Sequence, residues 1–324
     1  MNWLISGGCG FIGTALIKVL AGQGGHAVRV LDNLSVGGRD DLALVAPFKE
    51  LGADQATGPP AGVELVVGDI RDDKLALDVT RGCDVVVHLA ANTGVAPSVK
   101  NPRGDCMTNV IGTFNILDAV RINRVPRFVF ASSGAATGAV EPPIHEEMPA
   151  HPFSPYGAGK LAGEGYCSAY FRTYGIDTVA LRFGNVYGPG SAHKSSVVAK
   201  FIHRILRGEA LEIYGDGKQT RDFIYIDDLV DAVMLAATRP GIGGEVFQIA
   251  TGMETTVGEM TERLVAIVKD AGIQNVAISN TAPQLGDVKR NYSDTTKART
   301  RLGWSSKVSI DEGLRRTVNH FMNK

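Results

Sequence analysis

The sequence predicts an α/β protein, with a doubly wound parallel sheet in the first part of the chain and a smaller mixed α/β unit after it. Three observations carry this. Between residues 1 and 182, short apolar runs of strand length alternate with longer stretches of helical spacing; parallel strands need such crossover helices, wound right-handed, to be joined. A glycine-rich turn stands between the first strand and the first helix. Beyond residue 182 the alternation gives way to a mixed order, opened by the Gly/Pro-rich turn 183–190.

Bulk composition narrows the class. The 324 residues are 44% hydrophobic and 21% charged with a net charge of −1, an ordinary globular balance that argues against a nucleic-acid or membrane surface as partner. No run approaches the ~18 apolar residues of a membrane span. The start Met1-Asn2-Trp3-Leu4 lacks the basic head of a signal peptide and reads as the first strand. Cys9, Cys83, Cys106 and Cys167 are scattered without C-x-x-C spacing, which suits a reducing cytoplasm, and the seven histidines show no ligand spacing, so no metal is expected.

Taken in order, residues 2–6 form a strand, followed by Gly7, Gly10 and Gly13 in Gly-Gly-Cys-Gly-Phe-Ile-Gly and a helix to about Gln23. Such glycines allow a tight turn, close backbone approach to a pyrophosphate and close helix–strand packing, with the anion at the helix N-terminus. The next strand, 27–31, ends at Asp32, where an acid meets ribose hydroxyls about 20 residues beyond the glycines. Strand, glycines, helix, strand and acid together predict a dinucleotide site. Asp32 repels a 2′-phosphate, so NAD is favoured over NADP, with Arg39 the one nearby cation that speaks against it.

Residues 33–62 are polar and rich in glycine and proline toward their end, and are expected to form a surface excursion without chemistry. Further strands follow at 63–67 and 84–88, with Asp69, Ile70, Leu89, Ala90 and Ala91 at their C-terminal ends, where ligands bind in open α/β sheets. His88 reads as a packed, hydrogen-bonded residue. A long helix over 105–123 carries Asn109 and leads into the strand 127–131.

That strand ends at Ser132-Ser133-Gly134, and a helix runs from Tyr156-Gly157-Ala158-Gly159-Lys160 to Tyr174. Tyr156 and Lys160, four apart, share a helix face. An ammonium there favours the phenolate and is expected to lower the tyrosine from its ordinary ~10, making it a general base for a substrate hydroxyl. Ser133 is placed to hydrogen-bond the same oxygen. After the strand 177–182 come a helix at 196–206, a strand at 211–214, a loop at 215–222, a helix at 227–238, a strand at 245–249 and a helix at 257–271. The expected division is a dinucleotide domain over 1–182 and a substrate domain over 183–324 that caps the ligand edge, with about 215–240 returning to pack on the first. Arg221 is suited to clamp a second pyrophosphate, or else to pair with Asp222.

With these pieces assembled, the chain resembles the extended short-chain dehydrogenase/reductase family, in its nucleotide-sugar epimerase/dehydratase branch, and is most similar to UDP-hexose 4-epimerases. The resemblance spans nearly the whole chain and rests on GGCGFIG (7–13), DNLS (32–35), GDI (68–70), HLAA (88–91), SSG (132–134), YGAGK (156–160), RFGNVYGP (182–189), GDGKQTRDFIYIDDL (215–229) and GDVKRNYSDTTKA (286–298). It implies a Rossmann-type NAD domain with a nucleotide-sugar domain, and a catalytic set of Ser133, Tyr156 and Lys160, with Lys160 also on the nicotinamide ribose. It implies NAD contacts from Phe11, Ile12, Asn33, Ser35 and Asn109 besides the residues above. Substrate contacts are implied at Ser133, Asn185, Val197, Arg221 and Asn291, with Asn185 and Arg221 on the diphosphate. A homodimer through helices 105–123 and 156–174 is implied as well.

Within the family, dehydratases and decarboxylases carry acids just after the serine. Here Ser133-Gly134-Ala135-Ala136-Thr137-Gly138 has none. The resemblance therefore implies 4-epimerisation of a UDP-sugar (UDP-Glc/Gal or UDP-GlcNAc/GalNAc) through a transient 4-keto intermediate, with NAD recycled. A UDP-glucuronate 4-epimerase, a dehydratase or decarboxylase and a non-catalytic NAD sensor stay open. Three departures stand out: Thr137 replaces a tyrosine usual in the family, Gln284-Leu285 stand where an arginine is expected, and Asn291 is intermediate in size at a position that sorts N-acetylated sugars. Lys289 or Arg290 is a candidate to replace the arginine. His193, Lys289 or Arg290 is a candidate partner for a uronate.

Overall fold

The computed structural model describes residues 1–191, 196–282 and 288–323. Seven strands come from the first part of the chain: β1 (Asn2–Ser6), β2 (Ala27–Asp32), β3 (Lys49–Leu51), β4 (Val63–Val67), β5 (Val85–His88), β6 (Arg127–Ser133) and β7 (Asp177–Phe183). With the strand Glu245–Ile249 they form one eight-stranded sheet in which Glu245–Ile249 lies outside β7, followed by β6, β5, β1, β2, β4 and β3. Every pairing in it is parallel. Chain order reverses between β1 and β5, and it is outside the strand ends at such a reversal that open sheets bind ligands.

Side chains alternate across the sheet. Trp3 and Ile5 join Leu16, Ile17, Leu20, Leu229, Val230 and Val233 on one face, from the helices Phe11–Gln23 and Ile226–Thr238. Leu4, Val86, Phe128 and Phe130 join Leu75, Ile116, Leu117, Cys167 and Tyr170 on the other, under the helices Asp73–Thr80, Thr113–Ile122 and Pro155–Tyr174. Both faces are covered, which is why the strands read as continuous apolar runs.

Three features differ from the sequence expectation. The excursion 33–62 supplies the edge strand β3, aligned Lys49 to Glu64, and a short helix Arg39–Ala43. A three-residue, largely exposed strand carries no apolar run to announce it. The strand Glu245–Ile249, expected in the smaller unit, pairs with β7. The helix expected over 105–123 is three segments, Pro102–Cys106, a π-helical stretch Met107–Gly112, and Thr113–Ile122.

A smaller mixed α/β part of the chain carries short two-stranded pairings of its own. Leu211–Tyr214 pairs with Ile278–Thr281, and Thr220–Arg221 with Thr255–Thr256. Asp222 ties it to the main sheet by accepting from Thr251 N and Oγ1 (2.7 and 2.6 Å), Gly252 N (2.9 Å) and Ser293 N (3.2 Å). No described helix is long and apolar enough to cross a membrane.

Candidate active site

A cleft of about 1220 Å³ runs along the C-terminal strand ends, from the glycine turn past Asp32, Ser133 and Tyr156 to Asn185 and Val197. Its floor is set by how closely the glycine turn sits. Gly7 has φ +73°, and a Cβ there would lie 2.7 Å from the amide nitrogen of Ala90; one on Gly13 would lie 2.5 Å from Cα of Gly8. Only glycine lets this turn press against β5 and the helix start.

At the tip of β2, Asp32 accepts from Cys9 N (2.9 Å) and Leu34 N (2.8 Å). Burial pushes its carboxyl up and those two amides pull it back. Arg39 is turned elsewhere, its guanidinium forked onto Glu50 at 2.7 and 2.8 Å. A glycine cradle, a helix N-terminus and a fixed acid at the next strand end fit a dinucleotide with a free ribose diol.

The helix bearing Tyr156 begins at Pro155, where Ser154 Oγ caps it by accepting from Gly157 N at 3.1 Å. This places Tyr156 in the first turn, against the tip of β6. Ser133 Oγ accepts from Ala135 N (3.2 Å) and hydrogen-bonds the Tyr156 phenol. Lys160, buried, donates from Nζ to the carbonyl of Ala131 (2.8 Å) and lies 4.9 Å from the Phe130 ring centre and 5.9 Å from that of Tyr156. Burial brings its ammonium down to about 8, against the opposing pull of Asp105 and Glu164. The expectation of a lowered Tyr156 is corrected here. Burial pushes the phenol above its ordinary value, the Ser133 hydrogen bond offsets this in part, and the Asp105 charge adds to it.

The expected NAD residues line the cleft except Asn109, which sits behind its wall. Asn109 Nδ2 donates to Asn92 O and Asp105 Oδ1, both at 2.9 Å, and its Oδ1 accepts from Asn92 N at 2.8 Å, so it fixes the segment after Ala91. His88 is enclosed, between Ser6 Oγ at 2.7 Å and Thr113 Oγ1 at 3.0 Å. Thr113 gives its own proton to Asn109 O (2.8 Å), so Nε2 of His88 carries the hydrogen and Nδ1 accepts.

Of the expected substrate contacts, Ser133, Asn185 and Val197 line the cleft, and Arg221 and Asn291 are not among its described lining residues. Arg221 donates from Nη1 to Thr220 O (2.6 Å) and Val288 O (2.8 Å), while Asn291 N donates to Thr220 Oγ1 (3.1 Å). Arg290, the suggested replacement cation, is engaged by Glu254 (2.8 and 2.9 Å) and Glu141 (2.7 Å). Thr137 is buried. His193, Gln284 and Leu285 lie outside the described residues. Among the described residues no group of three or more His, Cys, Asp or Glu is arranged to hold a metal ion.

Sequence reasoning passed over three residues around this site. Arg182 and Glu164 form a buried ion pair just beneath Ser132, and Asp105 lies buried against the Tyr156–Lys160 turn. The one available signal was spacing: Glu164 stands four residues after Lys160, on the same helix face.

The model of the NAD dependent epimerase/dehydratase family matches residues 3–250. The UDP-glucose 4-epimerase of Mycolicibacterium smegmatis is 37% identical over 329 residues, covering 100% of this chain and 99% of that protein. Among solved structures, the UDP-glucose 4-epimerase of Thermotoga maritima with UDP-glucose superposes with a TM-score of 0.88 at 36% identity, over 100% of this chain and 99% of that one. The Thermus thermophilus UDP-glucose 4-epimerase complexed with NAD gives 0.86 at 33%, over 99% of each.

Proposed function

The chain belongs to the NAD dependent epimerase/dehydratase family, and on that premise we propose that it catalyses the NAD-dependent 4-epimerisation of a UDP-linked sugar through a transient 4-keto intermediate. The observation that carries this reading is one continuous cleft that joins the glycine turn and Asp32 to Ser133 and Tyr156, with no acid in Gly134–Gly138 after the serine. A site so built has a base for one hydroxyl, and the segment after Ser133 offers no acid to move a proton at a neighbouring carbon.

NAD, when bound, supplies a hydride acceptor and the matching donor for the sugar's C4, together with a positively charged ring. The glycine turn and the helix start would hold its pyrophosphate, and Asp32 its adenosine ribose. Tyr156 takes the C4 hydroxyl proton as that carbon becomes a ketone and returns it once the sugar presents its other face. The Lys160 ammonium and the Ser133 hydrogen bond favour the phenolate against the burial that opposes it. Asn185 and Val197 on the wall hold the nucleotide sugar, with Arg221 and Asn291 as its further contacts.

Purified protein without added NAD, incubated with UDP-glucose, UDP-GlcNAc or UDP-glucuronate, is expected to produce a new anomeric proton signal for the C4 epimer of one of them. Three unchanged spectra from protein that retains NAD would overturn the reading.

The active form is a homodimer and works in the cytoplasm. Met107, Ile111 and Tyr166 are exposed apolar side chains on the two segments expected to pair across the dimer, 105–123 and 156–174, where a partner would cover them. All four cysteines are free thiols, as a reducing compartment requires. Sedimentation velocity checks the first point, with Met107→Asp/Tyr166→Lys expected to sediment as monomer. Cell fractionation checks the second.

A further inference from the structure

We propose that Asp105 is a positioning residue whose carboxylate, buried between the helix Pro102–Cys106 and the first turns of Pro155–Tyr174, holds the Lys160 ammonium charged beside Tyr156. The proposal rests on the reaction assigned to this site above.

Asp105 is 3% exposed, and its two oxygens are unequal. Oδ1 accepts from Asn109 Nδ2 at 2.9 Å, whereas Oδ2 is buried with no hydrogen-bond partner. A buried carboxylate oxygen left bare is costly unless a nearby charge compensates it. The backbone shows where that oxygen points. A Cβ built on Gly159 would come within 3.8 Å of Oδ2 and 3.1 Å of Asn109 Cβ. Gly159 is thus the close-packing point between the two helices, and it offers the carboxylate no side chain. Its neighbour in sequence is Lys160, and Tyr156 lies one turn before.

Among the described charged groups around Lys160, Asp105 is the anion without a cation bonded to it; burial pushes its carboxyl up, and the Asn109 hydrogen bond and the Lys160 charge pull it back. Glu164, on the same helix, has both oxygens taken by Arg182 (2.8 and 2.7 Å) and a further bond from Ser132. His88, from β5, is buried and neutral, its imidazole pushed down to about 3 by burial and by the Lys160 charge. Lys100 and Arg103, on the segments packed beside Asp105, are exposed to water. Tyr156 keeps its proton more firmly because of Asp105. The hydrogen bond that Lys160 donates goes to the neutral carbonyl of Ala131, and its other close neighbours are the Phe130 and Tyr156 rings, so its charge in a buried place needs an anion within reach. Asp105 also anchors Asn109, and through it the Asn92 segment of the cleft wall, so one carboxylate links the wall to the lysine.

The test reads the lysine directly. In protein carrying 13C-labelled lysine, with the Lys160 signal assigned by Lys160→Arg, Asp105→Asn is expected to lower the Lys160 titration midpoint by about one pH unit. The alkaline limb of kcat should fall with it while KM stays within about twofold, and Asp105→Glu should restore the limb. An unmoved Lys160 midpoint in Asp105→Asn protein that retains NAD overturns the proposal. Absence of epimerisation by the wild-type protein would strike the reaction assigned above, and the lysine titration would still decide the role of Asp105. If Asp105→Asn fails to fold, Asp105→Ser, smaller and equally neutral, carries the same measurement. Collapse of both would make Asp105 a purely structural residue and overturn the proposal as well.

Discussion

Arg182 closes a two-armed ion pair on Glu164, Nε to Oε1 at 2.8 Å and Nη2 to Oε2 at 2.7 Å, with each side chain only 5% exposed. The pair joins β7 to the Tyr156 helix, and Ser132 adds its hydroxyl to the same carboxylate from the tip of β6. Three elements that carry the site thus meet on one buried charge.

Breaking that pair from one side strands the other charge. Arg182→Leu is expected to cost about 3–5 kcal/mol, because Glu164 is left buried without its ion-pair partner, bonded by the Ser132 hydroxyl. Removing both, in Arg182→Leu/Glu164→Leu, should cost less than the single change, since no charge remains to be compensated. Urea denaturation of the three proteins checks this, and a double variant weaker than Arg182→Leu would refute it.

Tyr156→Phe is expected to leave the fold and the glycine turn in place while removing the phenol hydroxyl assigned above to exchange a proton with the substrate. An expected loss of about 10²–10⁴ in kcat, with NAD still retained, follows from acid–base catalysis alone. Wild-type-like turnover would remove Tyr156 from the mechanism.

Gly13→Ala tests the cradle. The new methyl carbon would stand 2.5 Å from Cα of Gly8 and 2.6 Å from the carbonyl oxygens of Gly7 and Gly8, all backbone atoms that cannot swing aside. The turn must open, at a cost of about 1–3 kcal/mol as for other overpacked sites, and with it the bed for the pyrophosphate. Purified Gly13→Ala protein should therefore carry much less NAD, read as nucleotide released on denaturation, than the parent.

What the sequence made legible was whatever leaves a local pattern. The order of strand, Gly7–Gly13, helix and Asp32 is contiguous, and Tyr156 with Lys160 is a single helix turn, so both could be read without the fold. β3 was missed because its three residues include Lys49 and Glu50, which look like loop. The strand Glu245–Ile249 was recognised as a strand, but its neighbour β7 lies over 60 residues back, and pairing at that distance has no sequence signature. The tyrosine's proton affinity was misjudged for a related reason. Spacing suggests a pull of Lys160 on the Tyr156 phenolate but not the burial that dominates at the phenol, nor the Asp105 charge arriving from another helix.

His88 makes acid stability a sharp prediction. Its imidazole is enclosed by Ser6 and Thr113 and pushed down to about 3, against 6.5 for a histidine in water. Below about 6.5 the unfolded chain takes up a proton that the folded one refuses until about 3. The folded state is therefore penalised as pH falls through that window, by up to about 1.4 kcal/mol per pH unit, and the penalty is absent above it. His88→Gln keeps a polar side chain toward Thr113 but has nothing to protonate. It should be less stable than the parent near neutral pH, where it loses the Ser6 bond and the ring stacking on Phe128 and Phe130. Between about pH 6.5 and 4.5 its stability should decline less steeply than the parent's, so that the two curves converge. Urea midpoints collected across that range decide the matter: parallel curves would mean that His88 takes up its proton in the folded protein as readily as in the unfolded one.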